Sequence, residues 1–140
     1  MESERIKKTT EYHAKQYNCA QAVACAYCDL FDVDIKDAFK SMEGFGRGMG
    51  AYGTCGALSA VAYLTGLANS TADLENPSSK ALTYELMEEA IKKFEGEIGS
   101  IICHKIKGLD KNPEEPLKSC DYCIETAARI VEEMIIPLKK

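Results

Sequence analysis

The sequence has no stripe of lysine and arginine side chains with interleaved aromatic residues, and its formal net charge is −5. Because phosphate groups are bound by a basic face, this argues against a nucleic-acid partner. The sequence also lacks a long apolar run. Its longest weakly polar stretch, residues 55–68, is too short to span a bilayer and contains Ser59, Tyr63 and Thr65. We therefore expect neither nucleic-acid binding nor membrane insertion.

Residues 1–5 lack the basic segment and the apolar segment of an export signal. We expect a cytoplasmic protein, in which free thiols stay reduced. Apolar residues make up 46% and charged residues 28% of the 140 residues, which is ordinary globular composition. Because this length suits one hydrophobic core, we expect a single domain over residues 1–140.

Cysteine is the most informative residue type, and it is present in an odd number. The seven are Cys19, Cys25, Cys28, Cys55, Cys103, Cys120 and Cys123. An odd count and a reducing compartment both argue against a closed disulfide framework. Any one of them alone could simply fill the core, since free cysteine behaves as a small apolar residue. Together they point to thiolate chemistry.

Apolar residues recur at helical spacing, and no alternating strand pattern of useful length appears. The pattern predicts helices over residues 3–30, 35–42, 55–67, 81–94, 100–107 and 120–134. Between them, residues 44–53 contain five glycines and form a shaped loop that matches neither a P-loop nor a dinucleotide fingerprint. The predicted fold is all-α, a compact single-domain bundle of about five to six helices.

Two cysteines are predicted to begin helices. Cys55 follows Thr54, and Cys120 follows Ser119; threonine and serine are both good N-cap residues. The free N–H groups and the macrodipole at a helix start favour an anion such as a thiolate. Lys118, beside Cys120, acts in the same direction. We therefore expect the thiols of Cys55 and Cys120 to ionise more readily than a free thiol.

The sequence contains two C-x-x-C spacings, which differ in their placement. Cys25 and Cys28 lie within a predicted helix, where Cβ atoms three residues apart are about 5–6 Å apart, too far for a disulfide. Cys120 and Cys123 begin a helix, the position from which thioredoxin-type pairs work. The thioredoxin fold itself is excluded because the βαβ pattern is missing. A four-thiolate zinc site from both pairs is conceivable, although such ligand pairs usually lie in tight turns.

The two histidines give little support to a catalytic dyad. His104 follows Cys103 directly, and adjacent helix residues point in different directions. His13 is expected to pack rather than to bind a ligand. Cys19 and Cys28 lie nearly opposite each other on a helical wheel, so only one can face the interior. Small neighbouring residues favour Cys19 as the one that faces the interior.

One ordered set of motifs spans nearly the whole chain. It comprises Asn18-Cys19-Ala20-Gln21-Ala22-Val23, the glycine-rich residues 44–53, Cys55-Gly56-Ala57-Leu58-Ser59-Ala60, Cys103, and Cys120 ahead of Ile124, Ala127 and Ala128. This set resembles the redox-active C-GCAxxG-C-C family. The resemblance places the family's four cysteines at Cys19, Cys55, Cys103 and Cys120, and it gives Cys25, Cys28 and Cys123 no role. The family's C-G-A-x-x-G ends here in Ala60, whose methyl group should still permit close helix packing.

The resemblance implies a redox site built from these four cysteines, in an oxidoreductase or an electron-transfer protein with a redox partner still to be identified. In a thiol–disulfide version, Cys55 or Cys120 attacks as a thiolate and a nearby cysteine resolves the mixed disulfide. In a second version, all four thiolates bind an iron–sulfur cluster. The two versions remain open at this point.

Two alternatives of another class also remain. One is a zinc-binding module without turnover, in which the same four cysteines are the metal ligands. The other is a helical interaction module whose cysteines are structural. The small side chains of helix 55–67 would suit a homodimer interface as well as a core.

Overall fold

The computed structural model describes residues 3–138, and within that range it contains seven α-helices and no strand. The all-α prediction is confirmed, with more helices than the five to six expected. The helices are α1 (Glu4–Ala14), α2 (Cys19–Tyr27), α3 (Ile35–Met42), α4 (Gly56–Asn69), α5 (Lys80–Ile98), α6 (Cys103–Ile106) and α7 (Cys120–Ile130). The single domain over residues 1–140 stays a prediction, and its first two and last two residues lie outside the described range.

The prediction of one continuous helix over residues 3–30 is wrong, because the chain turns between α1 and α2. Gln16 takes a positive φ of 79°, and α2 then starts with a capping box. The Asn18 side chain accepts from the Gln21 N–H, while the Gln21 side chain accepts from the Asn18 N–H. Cys19 is therefore the first residue of a helix rather than a residue within one.

Helix α2 is the centre of the bundle and packs against α1, α3, α4 and α7. All of its residues after Cys19 are buried, and half of them are alanines. Facing them, α4 buries Gly56, Ala57 and Ala60. These small side chains let the two helices approach closely. Ala60, where the family pattern has glycine, is fully buried. The homodimer stays a prediction.

Several helix ends differ from those expected, and the differences matter for the cysteines. Helix α4 begins at Gly56, so Cys55 is its N-cap and Thr54 lies one residue earlier, paired in an isolated bridge with Ile102. Helix α6 is shorter than predicted and begins at Cys103. Helix α3 has the predicted bounds, and the predicted cap at Ser119 is confirmed, since its side chain accepts from the Tyr122 N–H.

The glycine-rich segment over residues 44–53 is a shaped loop, as predicted. Its backbone is left-handed at five positions, of which only two are glycines. They are Arg47, Gly48, Met49, Gly50 and Tyr52. Within the part of the chain that the structure describes, no helix is long and apolar enough to cross a membrane.

Gly56, the first residue of α4, packs directly against Cys19 at the start of α2. A Cβ atom added there would lie 2.7 Å from the Phe45 carbonyl oxygen and 2.8 Å from the Cys19 Sγ. Gly66, on the same helix, has nothing within 4 Å of such a Cβ. Alanine substitutions at these two positions therefore distinguish the effect of crowding between the helices from the effect of helix propensity.

We expect Gly56→Ala to lower the free energy of unfolding by about 1–3 kcal/mol, because the added methyl forces the α2–α4 contact apart. Gly66→Ala is the matched control, and it should raise stability by up to about 1 kcal/mol through helix propensity alone. Urea unfolding followed by circular dichroism measures both. Equal stability of the two variants would contradict the close contact.

Candidate functional site: a cysteine-lined cavity

The four cysteines singled out by the sequence all lie at helix starts. Cys19, Cys103 and Cys120 are the first residues of α2, α6 and α7, and Cys55 is the N-cap of α4. The sequence predicted this position for only two of them. No glycine or proline marks the break before Cys19, and the helix that contains Cys103 was expected to begin at residue 100. Backbone N–H groups at each of these starts lack an intrahelical acceptor.

All four of these cysteines line one cavity with a volume of about 180 Å³. Cys123, to which the family resemblance gave no role, lines it as well. Its other lining residues are mostly polar or cationic: His13, Asn18, Arg47, Ile106 and Lys107. Cys25 and Cys28 lie elsewhere, in a separate buried cluster with Ala38. All seven cysteines are free thiols.

Backbone hydrogen bonds set the relative position of two of the cysteines. The Cys55 N–H donates to the Ile101 carbonyl at 2.7 Å, and the Cys103 N–H donates to the Gly53 carbonyl at 2.6 Å. These two bonds tie the segment before α4 to the segment before α6, on either side of the Thr54–Ile102 bridge. Cys55 and Cys103 therefore enter the cavity from two paired, extended segments.

The deeper thiols hydrogen-bond to one another, and this keeps them protonated. The hydrogen bond with Cys123, together with burial, raises the pKa of Cys55 to about 12. The hydrogen bond with Cys55, followed by burial, raises the pKa of Cys19 well above its ordinary value, although the backbone N–H groups of Arg47 and Ala57 act in the opposite direction. The expectation that Cys55 ionises readily is therefore wrong, because thiol contacts and burial outweigh its place at a helix start.

Cys120 has a different environment from that of Cys55. It is partly exposed, and its Sγ lies 3.7 Å from the Nζ of Lys107. Burial lowers the pKa of Lys107, but the neighbouring Cys120 and Cys103 raise it by more, so Lys107 stays an ammonium group. Burial raises the pKa of Cys103, and Lys107 opposes that shift. The Lys107 ammonium group thus lies beside Cys120 and Cys103.

A histidine and an aspartate meet at the same cavity. The Nδ1 of His13 lies 2.7 Å from a carboxylate oxygen of Asp121, the residue that follows Cys120. The sequence gave His13 only a packing role, because nothing in it brings α1 and α7 together. His104 is exposed and does not line the cavity, in agreement with the absence of a Cys103–His104 dyad.

Within residues 3–138, no group of three or more His, Cys, Asp or Glu side chains is arranged so that it could hold a metal ion. A structural zinc site requires four such donors around one point, at about 2.0–2.3 Å. The arrangement of the five cavity thiols therefore does not fit a mononuclear zinc site.

We expect Cys120 to be alkylated by iodoacetamide before the other thiols at pH 7.5, because it is partly exposed and paired with an ammonium group. Lys107→Gln should slow this reaction about two- to fivefold, because it removes a partly exposed ion pair. Peptide mass mapping over a time course measures both rates. Cys55, with a pKa of about 12, should stay unmodified while the protein is folded. Faster labelling of Cys55 than of Cys120 would contradict the described environments.

The comparisons with curated proteins and with solved structures give no match. A family model does match: the one described as "Putative redox-active protein (C_GCAxxG_C_C)", over residues 17–134. That span includes the start of every cysteine-bearing helix and all five thiols of the cavity. The chain belongs to this redox-active four-cysteine family.

Proposed function

We propose that the chain is an oxidoreductase that performs thiol–disulfide exchange at the cysteine-lined cavity, with Cys120 as the attacking thiolate. One observation carries the proposal: Cys120 is the partly exposed first residue of α7, with the Lys107 ammonium 3.7 Å from its sulfur. Helix starts and neighbouring cations are the features that activate reactive cysteines. Membership of the redox-active family supports the same class of chemistry.

The first step is attack of the Cys120 thiolate on one sulfur of a substrate disulfide. A new S–S bond forms between Cys120 and the substrate, the substrate S–S bond breaks, and one substrate thiolate leaves. Lys107 holds the attacking thiolate before the step. Cys55 does not suit this role, because its pKa of about 12 keeps it protonated.

The second step resolves the mixed disulfide, and Cys103 suits it best. Cys103 lies close to both Lys107 and Cys120, so its charge interacts with both of them. Cys123, the other candidate, is buried beside Cys55, whereas Lys107 has Cys120 and Cys103 as its neighbours. Attack by Cys103 forms the Cys103–Cys120 bond and releases the second substrate thiol, which takes up the proton lost by Cys103. Two cavity thiols are oxidised by two electrons, and one disulfide is reduced to two thiols.

The proposal is tested by mixing the reduced protein with glutathione disulfide under anaerobic conditions and mapping the products by mass spectrometry. Wild type should form an internal Cys103–Cys120 disulfide. Cys103→Ser should accumulate glutathione on Cys120, and Cys120→Ser should not react at the cavity. Cys25→Ser, outside the cavity, is the control and should behave as wild type. Equal reaction of Cys120→Ser and wild type would overturn the proposal.

A second candidate, iron–sulfur cluster binding for electron transfer, is favoured by the meeting of four helix starts at one cavity. A two-iron cluster takes four cysteine thiolates, two on each iron, so it does not require three protein donors around one ion. Cys19, Cys55, Cys103 and Cys120 would hold it, and a bound cluster would supply a one-electron couple. Free N–H groups at the helix starts, together with Lys107, offset the negative charge of the thiolates. The raised pKa values of Cys19 and Cys55 mean that ligation releases protons and is favoured by higher pH.

Anaerobic incubation with iron and sulfide separates the two candidates. Cluster binding predicts about two irons and two sulfides for each chain, with visible charge-transfer absorption that is lost in Cys19→Ser and Cys55→Ser. Thiol–disulfide exchange predicts a colourless protein in which these two substitutions leave the reaction at Cys120 intact. Iron, sulfide and thiol counts on one sample give the answer.

A further inference from the structure

A second cavity opens on the other side of Cys120. Its volume is about 380 Å³, within the range typical of small-molecule pockets. Cys120 and Lys107 line both this cavity and the cysteine-lined cavity, so they stand at the junction of the two. A molecule in the second cavity would meet the sulfur of Cys120 before any other cavity thiol. We call this second cavity the outer cleft.

The walls of the outer cleft combine apolar surface with positive charge. Tyr52, Leu109 and Pro116 supply the apolar surface, and Lys107 and Lys118 supply two cations. Glu114 is the one carboxylate in the lining, and it is exposed. The cleft is thus locally cationic on a chain whose net charge is −5.

This local charge matters because two negative charges would otherwise meet at the reaction. An attacking thiolate repels an anionic disulfide, and an acidic protein repels it further. Lys107 offsets the charge of the Cys120 thiolate, from 3.7 Å. Lys118 lies over the Tyr122 ring, 5.0 Å from its centroid, which places its ammonium beside the start of α7.

We propose that the outer cleft binds the substrate of Cys120, and that this substrate is a small disulfide carrying carboxylate groups, such as a disulfide of a short acidic peptide. The inference rests on the proposed thiol–disulfide function and adds the substrate class. Lys118 binds a carboxylate of the substrate, the apolar wall packs against its carbon chain, and the substrate S–S bond faces Cys120. Glu114 limits the affinity for anions.

Three disulfide probes of different charge test the proposal: dithiobis(nitrobenzoate), which is anionic, dithiodipyridine, which is neutral, and cystamine, which is cationic. The rate of Cys120 modification is measured for each by stopped flow, with mass mapping to assign the site. Lys118→Gln should slow the anionic probe about two- to fivefold relative to the neutral one, and Glu114→Gln should speed it. In both variants, the rate of Cys120 modification by cystamine should change in the opposite direction to the rate with the anionic probe.

Lys36→Gln is the control, since Lys36 is exposed and lines neither cavity at Cys120. Its rates should match wild type for all three probes. Added salt should slow the anionic probe most in wild type and less in Lys118→Gln, because screening weakens charge attraction.

The two proposals fail in distinguishable ways. If Cys120 reacts with all three probes but Lys118→Gln and Glu114→Gln leave their rate ratios unchanged, the substrate class is wrong and the exchange function stands. If Cys120 reacts with none of the probes, both proposals are overturned.

Discussion

Two backbone hydrogen bonds, from Cys55 to Ile101 and from Cys103 to Gly53, determine where the cavity can form. They pair the segments that lead into α4 and α6, so both helices start at the same level of the bundle. Helix α2 then brings Cys19 to this level, because Gly56 lets α4 approach the Cys19 sulfur. Ser119 starts α7 there as well. Without this shared level, the cysteines would be separate core residues.

Once the thiols share one cavity, their environments divide them into two kinds. Neighbouring thiols and burial raise the pKa of Cys19 and of Cys55, so both stay protonated. Cys120 lies at the boundary with solvent, beside the ammonium group of Lys107. A helix start therefore does not activate a cysteine by itself, since Cys55 has one and is not activated. In the proposed exchange, partial exposure and the neighbouring Lys107 distinguish Cys120 from Cys55.

Local sequence signals accounted for much of the fold and for part of the site. The bounds of α3 and the cap at Ser119 follow from apolar spacing and from one hydroxyl group. The break before Cys19 was missed because helical periodicity continues across it, although Asn18 and Gln21 have the spacing of a capping box. Lys107 and His13 could not be assigned to the site, because their place in it depends on contacts between helices distant in sequence. The family resemblance predicted that four of the cysteines share one site, which helical periodicity alone could not indicate.

The fifth cavity thiol also affects how substitutions of the others should be interpreted. Cys123 is buried beside Cys55, and it lines the same cavity as Cys19. A variant that lacks the Cys55 or the Cys19 sulfur still has the Cys123 sulfur in the same cavity. Single replacements can therefore understate the importance of each position, and pairwise replacements that include Cys123 reveal it.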